Sequence, residues 1–325
     1  MKKIIVDETG AGERIDKFLS SFAKAPEDKN EEFFLDMETT RGDVIRSIRE
    51  GQILVNDKKV KPSYILKEQD EISIDIKKEK EEVVPNKNIK LEIIYQDADM
   101  IVVNKPSGLQ VDPSDSEKIN TLINALVVSF PEIVGIDDGF EGSWMRPGIV
   151  HRLDKDTSGV MVVARNKKTF DELKRKFADR EIEKNYVAVV YGNLEKKAGV
   201  VDKPIARAAS FKKQKIARGK MKGTARAAVT EYRLLKRYDG FDFVEALPKT
   251  GRMHQIRVHL ASLGNPIVGD AKYKRRDLIV PIGIERQLLH AQTLKFELNG
   301  QKCSFEAELP IDFTAFLKGL DEKSI

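Results

Sequence analysis

Residues 151–159 read His-Arg-Leu-Asp-Lys-Asp-Thr-Ser-Gly, which places two carboxylates, two cations, an imidazole and two hydroxyls in nine positions. They lie between Ile149-Val150 and the apolar run Val160–Ala164, so a dense polar loop leads into a strand expected to be buried. Charges there are costly to desolvate unless they pair or take part in chemistry. Alone, the cluster fits a charged surface loop equally well. Other polar segments change that balance: Asn104–Leu109, Glu183-Lys184-Asn185-Tyr186, Lys249–Leu260 with Gly264–Asp270 after it, and Gln287–Ala291. Between them they offer a carboxylate to attack or take a proton, a guanidinium to favour its charged form, and a tyrosine with an aromatic face and a phenol oxygen.

Several chemistries have no foothold in these residues. No Gly-x-Ser-x-Gly or His-Glu-x-x-His occurs, and Cys303 is the single cysteine, which permits neither an internal disulfide nor a thiolate metal cage. His254 and His259 are five apart and do not share a helix face as zinc ligands would; structural hydrogen bonds fit them better. No nucleotide or cofactor motif is present, so neither a cofactor nor a metal is expected.

A core must position these segments. With 325 residues and 41% apolar content, about two soluble domains are expected. No 18-residue apolar run could span a membrane, and Asp7-Glu8 end the first apolar run too early for a signal peptide. A cytoplasmic protein, monomeric by default, is the expectation. Residues 1–76 read as one module, 77–90 as a linker and 91–325 as the large domain. In the first module Ile15, Phe18, Leu19 and Phe22 mark a helix; Thr40 caps a second one carrying Val44, Ile45 and Ile48, which Gly51 ends. Ile53–Val60 reverses at Asn56-Asp57, and Glu71–Ile76 alternates as a strand. Residues 26–38 read as an acidic irregular insertion.

In the large domain the patterns predict strands at 91–95, 100–104, 186–191, 227–235, 242–247, 294–298 and 303–307, and helices at 121–130, 169–177 and 252–263. Gly251 is read as the tight turn into the last helix. Short connections and few helices imply an α+β fold, with a mixed, largely antiparallel sheet and flanking helices, beside a small α/β N-terminal module. The net charge is +5, but Lys203–Thr230 holds nine Lys/Arg and no acid. That stretch, with Lys212, Lys213 and Lys215 at its centre, is a candidate phosphate track.

Two resemblances follow from these residues. The first module resembles the alpha-L RNA-binding domain, whose second helix presents basic residues to RNA; Arg41, Arg46 and Arg49 occupy matching places. His-Arg-Leu-Asp together with Gly-Arg-Met-His-Gln-Ile-Arg-Val-His resembles the RluA/RluD family of pseudouridine synthases, across essentially the whole chain. The family isomerises uridine to pseudouridine in structured RNA. The resemblance makes Asp154 the catalytic carboxylate, Tyr186 the active-site tyrosine and Arg257 the ion-pair partner of that carboxylate. It makes Arg152 the residue that fills the place of an extruded base, and Leu289 a wall of the site, with Leu288 competing. His151, Arg252 and His254 are expected beside the substrate, Asp156 as a turn residue, and Lys105 with the Pro-Ser-Gly turn as part of the wall.

The carboxylate either attacks carbon or removes a ribose proton, and the target base leaves its stack to be reached. Arg146–Val150 and the alpha-L module lean toward large-subunit ribosomal RNA or its precursor particle. Asp112 stands where relatives often have histidine, and Lys274 where glycine is common, which puts substrate contacts in question. The rival readings are a catalytically silent RNA-binding or ribosome-assembly protein, and a hydrolase built on His151, His254, His259 and Ser158.

Overall fold

The computed structural model describes residues 2–22, 41–75, 82–114, 116–140, 142–208, 213–217 and 222–322. The chain divides into two units, Met1–Glu81 and Glu82–Ile325. In the first, β1 (Lys2–Ile5), α1 (Ile15–Phe22), α2 (Arg41–Glu50), β2 (Ile53–Val55) and β3 (Glu71–Ile74) follow in order. Ile15, Phe18 and Leu19 of α1 pack with Val44 and Ile48 of α2 over Ile53, Val55 and Ile72. Asn56 and Asp57 both take the left-handed conformation that the reversal demands (φ 49° and 59°). Past the turn only Lys58 bridges back to Val55; β2 pairs along its length with β3, and β3 with β1. β1 is absent from the sequence reading because four residues carry too little pattern. The Thr40 cap and the 26–38 insertion lie outside the described residues.

The second unit is built on a large sheet. Its strands are β4 (Glu92–Gln96), β5 (Met100–Lys105), β6 (Ser158–Ala164), β7 (Glu183–Tyr191), β8 (Ala198–Asp202), β12 (Val229–Tyr238), β13 (Phe241–Pro248), β14 (Leu289–Leu298) and β15 (Gln301–Glu306). The order is β4-β5-β6-β14-β7-β13-β12-β8, with β15 on β14. Only β6 against β14 runs parallel among these pairs, so the sheet is mixed and largely antiparallel, as the strand patterns imply. The helices are α3 (Leu122–Ser129), α4 (Lys167–Ala178), α5 (Gln255–Ser262) and α6 (Ile311–Glu322). A separate small sheet of β9 (Ile205–Arg207), β10 (Gln214–Ile216) and β11 (Lys222–Arg226) occupies the basic stretch, where charge masks the alternation that would reveal strands.

Every residue of β6 is buried. Val160, Met161, Val162 and Val163 each contribute about 1.5–3 kcal/mol on burial, which makes β6 a rigid base for the polar loop before it. Gly159 has φ +123°, and a Cβ there would lie 2.2 Å from the Ala291 carbonyl oxygen. Only glycine lets β6 and β14 close in parallel at that point.

Residues 82–90, read as linker, belong to the large unit. Asn124 donates its side-chain amide to the Val84 carbonyl and its own carbonyl accepts from Asn86 N–H. α3 buries Ile123 and Val127 as well as the Leu122/Ala125/Leu126 face.

Candidate active site

Asp154 sits in the loop before β6, where its carbonyl accepts from Thr157 N–H at 3.1 Å. Two buried cations hold that loop by its carbonyls. Lys105, at the end of β5, is fully buried and donates to the carbonyl oxygens of Pro106, Leu109 and Lys155 at 2.7–3.0 Å. Burial pushes its ammonium down to about 7, although three carbonyl acceptors use every N–H of the charged form. Arg286 reaches the Asp156 carbonyl at 3.3 Å while its fork is held by Asp312.

The charge centre is Arg257 on α5. Its Nη1 donates to Asp154 Oδ2 at 2.7 Å, and its Nε and Nη2 donate to Asp270 at 2.7 and 2.9 Å. Burial works against the Arg257 charge, but the Asp270 and Asp154 carboxylates overcome it and raise its pKa. Asp270 is inaccessible to solvent and also accepts from Lys272 and Tyr273 N–H groups. Gly269 before it has φ +78°, and a Cβ would meet the Arg286 carbonyl oxygen at 1.9 Å. Asp154 keeps 24% of its side chain exposed.

α5 is placed by Gln255, whose side chain accepts from the Thr250 hydroxyl and the Arg252 N–H and donates to the Val229 carbonyl and Thr230 hydroxyl. Gly251 is not the strained residue at this entry; His254 is, with φ 57°. That conformation turns its ring back, putting Nε2 3.8 Å from Asp154 Oδ2 and Nδ1 2.7 Å from the Tyr273 hydroxyl.

The other expected residues fall around this centre to different degrees. Tyr186, at the start of β7, is partly buried between two clusters; burial first, then the Asp154 charge, raises its phenol well above the usual range. Leu289 packs in the cluster that Tyr186 and α5 share, whereas Leu288 packs with Phe313 on α6, which separates the two competing leucines. Arg152 is 55% exposed and donates to Asp112 Oδ2 at 3.0 Å, with Arg146 Nε 3.8 Å from the same oxygen. Arg252 donates to the Ala227 carbonyl.

His151 is engaged with the protein itself. Its Nε2 accepts from Val162 N–H, its ring stacks on Phe177 at 4.5 Å, and burial pushes its pKa down to about 3. His259 uses both ring nitrogens, on Thr230 and the Lys203 carbonyl, which leaves no lone pair for a metal. Ser158 and His290 bond to each other in the core, far from the geometry of an exposed nucleophile.

On α2, Arg41 is tied to Asp16, Arg46 pairs with Asp43, and Arg49 lines a groove with Arg14 and Lys61. Lys213 and Lys215 fall in or beside β10, while Lys212 lies outside the described residues. Asp270 and Tyr273 are the site residues the sequence reading missed. Asp270 stood in a segment noted for its polarity, but nothing local marks it as the second partner of Arg257. A recess of about 650 Å³ along β7, β8, β12 and β13 contains none of this charge centre. Concavity and the charge centre therefore fall at different places in the large unit.

Comparison with known proteins identifies a family. Residues 99–262 match the RNA pseudouridylate synthase family and residues 35–72 the S4 domain. The chain is 35% identical to an uncharacterised RNA pseudouridine synthase, YlyB, of Bacillus subtilis, over 98% of this chain and 97% of that one. It is 32% identical to ribosomal large subunit pseudouridine synthase D of Xanthomonas campestris, over 100% and 94% of the two chains. Among solved structures it resembles human RNA pseudouridylate synthase domain containing 4, with a TM-score of 0.55 at 28% identity over 71% of this chain and 93% of that one.

Proposed function

The chain belongs to the RNA pseudouridylate synthase family, and from that premise we propose that it isomerises specific uridines of large-subunit ribosomal RNA through the carboxylate of Asp154. The reaction breaks the carbon–nitrogen glycosidic bond, turns the uracil and rejoins it through carbon, with no change of composition. An ionised carboxylate serves either route, attack on carbon or removal of a ribose proton. The observation that carries the reading is the 2.7 Å contact of Arg257 Nη1 with Asp154 Oδ2, in a guanidinium fixed from behind by Asp270. A preorganised cation of this kind stands beside the carboxylate without needing to move during the reaction.

Tyr186 offers its ring to the uracil, and Leu289 backs it. Arg152 takes the place of the extruded base, which costs a few kcal/mol to unstack; it must leave Asp112 to do so. Arg252, His254 and His151 shape the surroundings of the base. Arg41, Arg46 and Arg49 of the S4 module, and Lys212, Lys213 and Lys215 of the basic stretch, contact RNA phosphates. The names of relatives that act on the ribosomal large subunit support the choice of target, and a monomer working in the cytoplasm fits it. Among the described residues no helix is long and apolar enough to cross a membrane.

The test is Asp154→Asn, with pseudouridine mapped chemically in ribosomal RNA. The substitution should lower turnover on the order of 10³-fold or more and keep RNA affinity. Neutralising Lys213 and Lys215 should weaken binding and flatten its salt dependence by about one unit per lysine. Retained isomerisation by the Asn variant overturns the catalytic assignment. An unmodified RNA pattern with intact binding in the wild type would favour a silent assembly role.

A further inference from the structure

A run of polar contacts connects the basic small sheet to the catalytic loop. Tyr273 Oη accepts from the Gln214 N–H of β10 at 2.8 Å and lies 2.7 Å from His254 Nδ1. Its ring sits edge-on to the imidazole and 5.2 Å under the Arg257 guanidinium. His254 Nε2 in turn faces Asp154 Oδ2 at 3.8 Å, the oxygen that Arg257 already holds.

The proton positions follow from counting donors and acceptors. A phenol has one proton, and the Gln214 N–H already takes up one of its lone pairs. Burial raises the Tyr273 hydroxyl up to about 12 and lowers His254, so both are neutral. The phenol proton needs an acceptor, and among the described residues His254 Nδ1 is the one within reach. The imidazole proton must then sit on Nε2, facing Asp154. The opposite tautomer would leave the phenol proton without that acceptor and aim an imidazole lone pair at a carboxylate. The other charges around His254, from Arg257, Lys272 and Asp270, are of both signs.

We propose that Tyr273 is a positioning residue that locks His254 as its Nε2–H tautomer, so that two donors, Arg257 and His254, converge on Oδ2 of Asp154 and leave Oδ1 to react. The proposal rests on Asp154 being the catalytic carboxylate. At 3.8 Å the second contact is longer than a hydrogen bond; contacts of this kind tighten when substrate enters. The left-handed backbone at His254 is what aims the ring, since a helical residue there would direct it along α5. Because Gln214 belongs to the basic sheet, the lock is anchored in the same segment proposed to meet RNA.

The tautomer is read by ¹⁵N nuclear magnetic resonance on the full-length, RNA-free protein. The chain has four histidines, and the His254 ring signal is assigned by its loss in His254→Asn. The expected spectrum has Nε2 protonated and Nδ1 unprotonated, with mixed tautomers in Tyr273→Phe. A protonated Nδ1 in the wild type, or an unchanged tautomer in Tyr273→Phe, overturns the lock. This readout needs no turnover, so it stands apart from the fate of the Asp154 assignment.

Turnover supplies the second arm. Tyr273→Phe should lower kcat about fivefold to tenfold with KM nearly unchanged, the scale of one neutral hydrogen bond. At position 254 the left-handed backbone favours Asn over Gln, whereas only the Gln amide extends to the Nε2 position. Stability should therefore rank Asn at or above Gln, and kcat should rank Gln above Asn. Activity that follows stability instead would make His254 a purely structural residue and end the proposal.

Discussion

The two units each contain an arginine–aspartate triad around a buried central residue, and the triads are built in opposite senses. In the N-terminal unit Asp16 lies between Arg14 and Arg41, one acid with two cations, and four N–H groups converge on its two oxygens. Burial works against its charge, yet the two guanidinium groups hold the carboxyl below the usual range. In the large unit Arg257 lies between Asp154 and Asp270, one cation with two acids. Asp270 is saturated like Asp16, whereas Asp154 takes a single donor from Arg257 and keeps an open edge. The ion-pair chemistry is shared; unfilled acceptor capacity sets Asp154 apart from Asp16 and Asp270. Exposure differs in parallel. The side chains of Arg14 and Arg41 are 42% and 47% exposed and Arg257 only 5%.

That difference predicts unequal costs. Asp270→Asn removes the main partner of a buried guanidinium and should destabilise the large unit by about 3–5 kcal/mol, measured by denaturant unfolding. Asp154→Asn leaves Arg257 paired with Asp270, so it should change stability by less than about 1 kcal/mol despite abolishing turnover. Equal destabilisation by the two variants would dissolve the distinction between holder and reactant. Asp16→Asn should cost about 1–3 kcal/mol, less than Asp270→Asn, because its arginines remain hydrated. Hydrogen exchange on the full chain should place that loss in α1 and α2, with kcat at saturating RNA unaltered.

Local patterns made the halves of this site legible and left their meeting unseen. His-Arg-Leu-Asp and Gly-Arg-Met-His-Gln-Ile-Arg are dense in polar groups beside apolar runs, which is a signal a sequence carries on its own. Asp154 and Arg257 are 103 residues apart, and resemblance, not spacing, supplied their pairing. Asp270 and Tyr273 went unread because they act from a loop, where no period of 2 or 3.6 marks a side chain's direction. Val84 and Asn86 were hidden by a charged composition that looks like linker, though their backbone groups meet Asn124. Asp112 was visible as a departure, and the structure gives it a physical meaning: an anion there holds Arg152 and Arg146, as a neutral histidine would not.

Histidine placement sharpens the contrast further, because all four histidines of the chain lie in the large unit. Burial lowers the pKa of His151 to about 3 and also lowers those of His254, His259 and His290. In the unfolded chain a histidine titrates near 6.5, so between that value and the folded one the unfolded state binds more protons. Stability therefore rises with pH across this window and is lost as pH falls below about 6.5, a loss that for His151 continues toward 3, at up to about 1.4 kcal/mol per pH unit for each histidine. In the N-terminal unit the carboxyls of Asp16 and Asp70 are lowered, and their contribution is lost as pH falls below about 4. At pH 5, hydrogen exchange should accelerate in β6 and α5 while α1 and α2 keep their neutral-pH protection. His151→Gln should reduce the slope of the large unit by no more than one proton, and an unchanged slope would mean that this imidazole takes up its proton in the fold as it does in the unfolded chain.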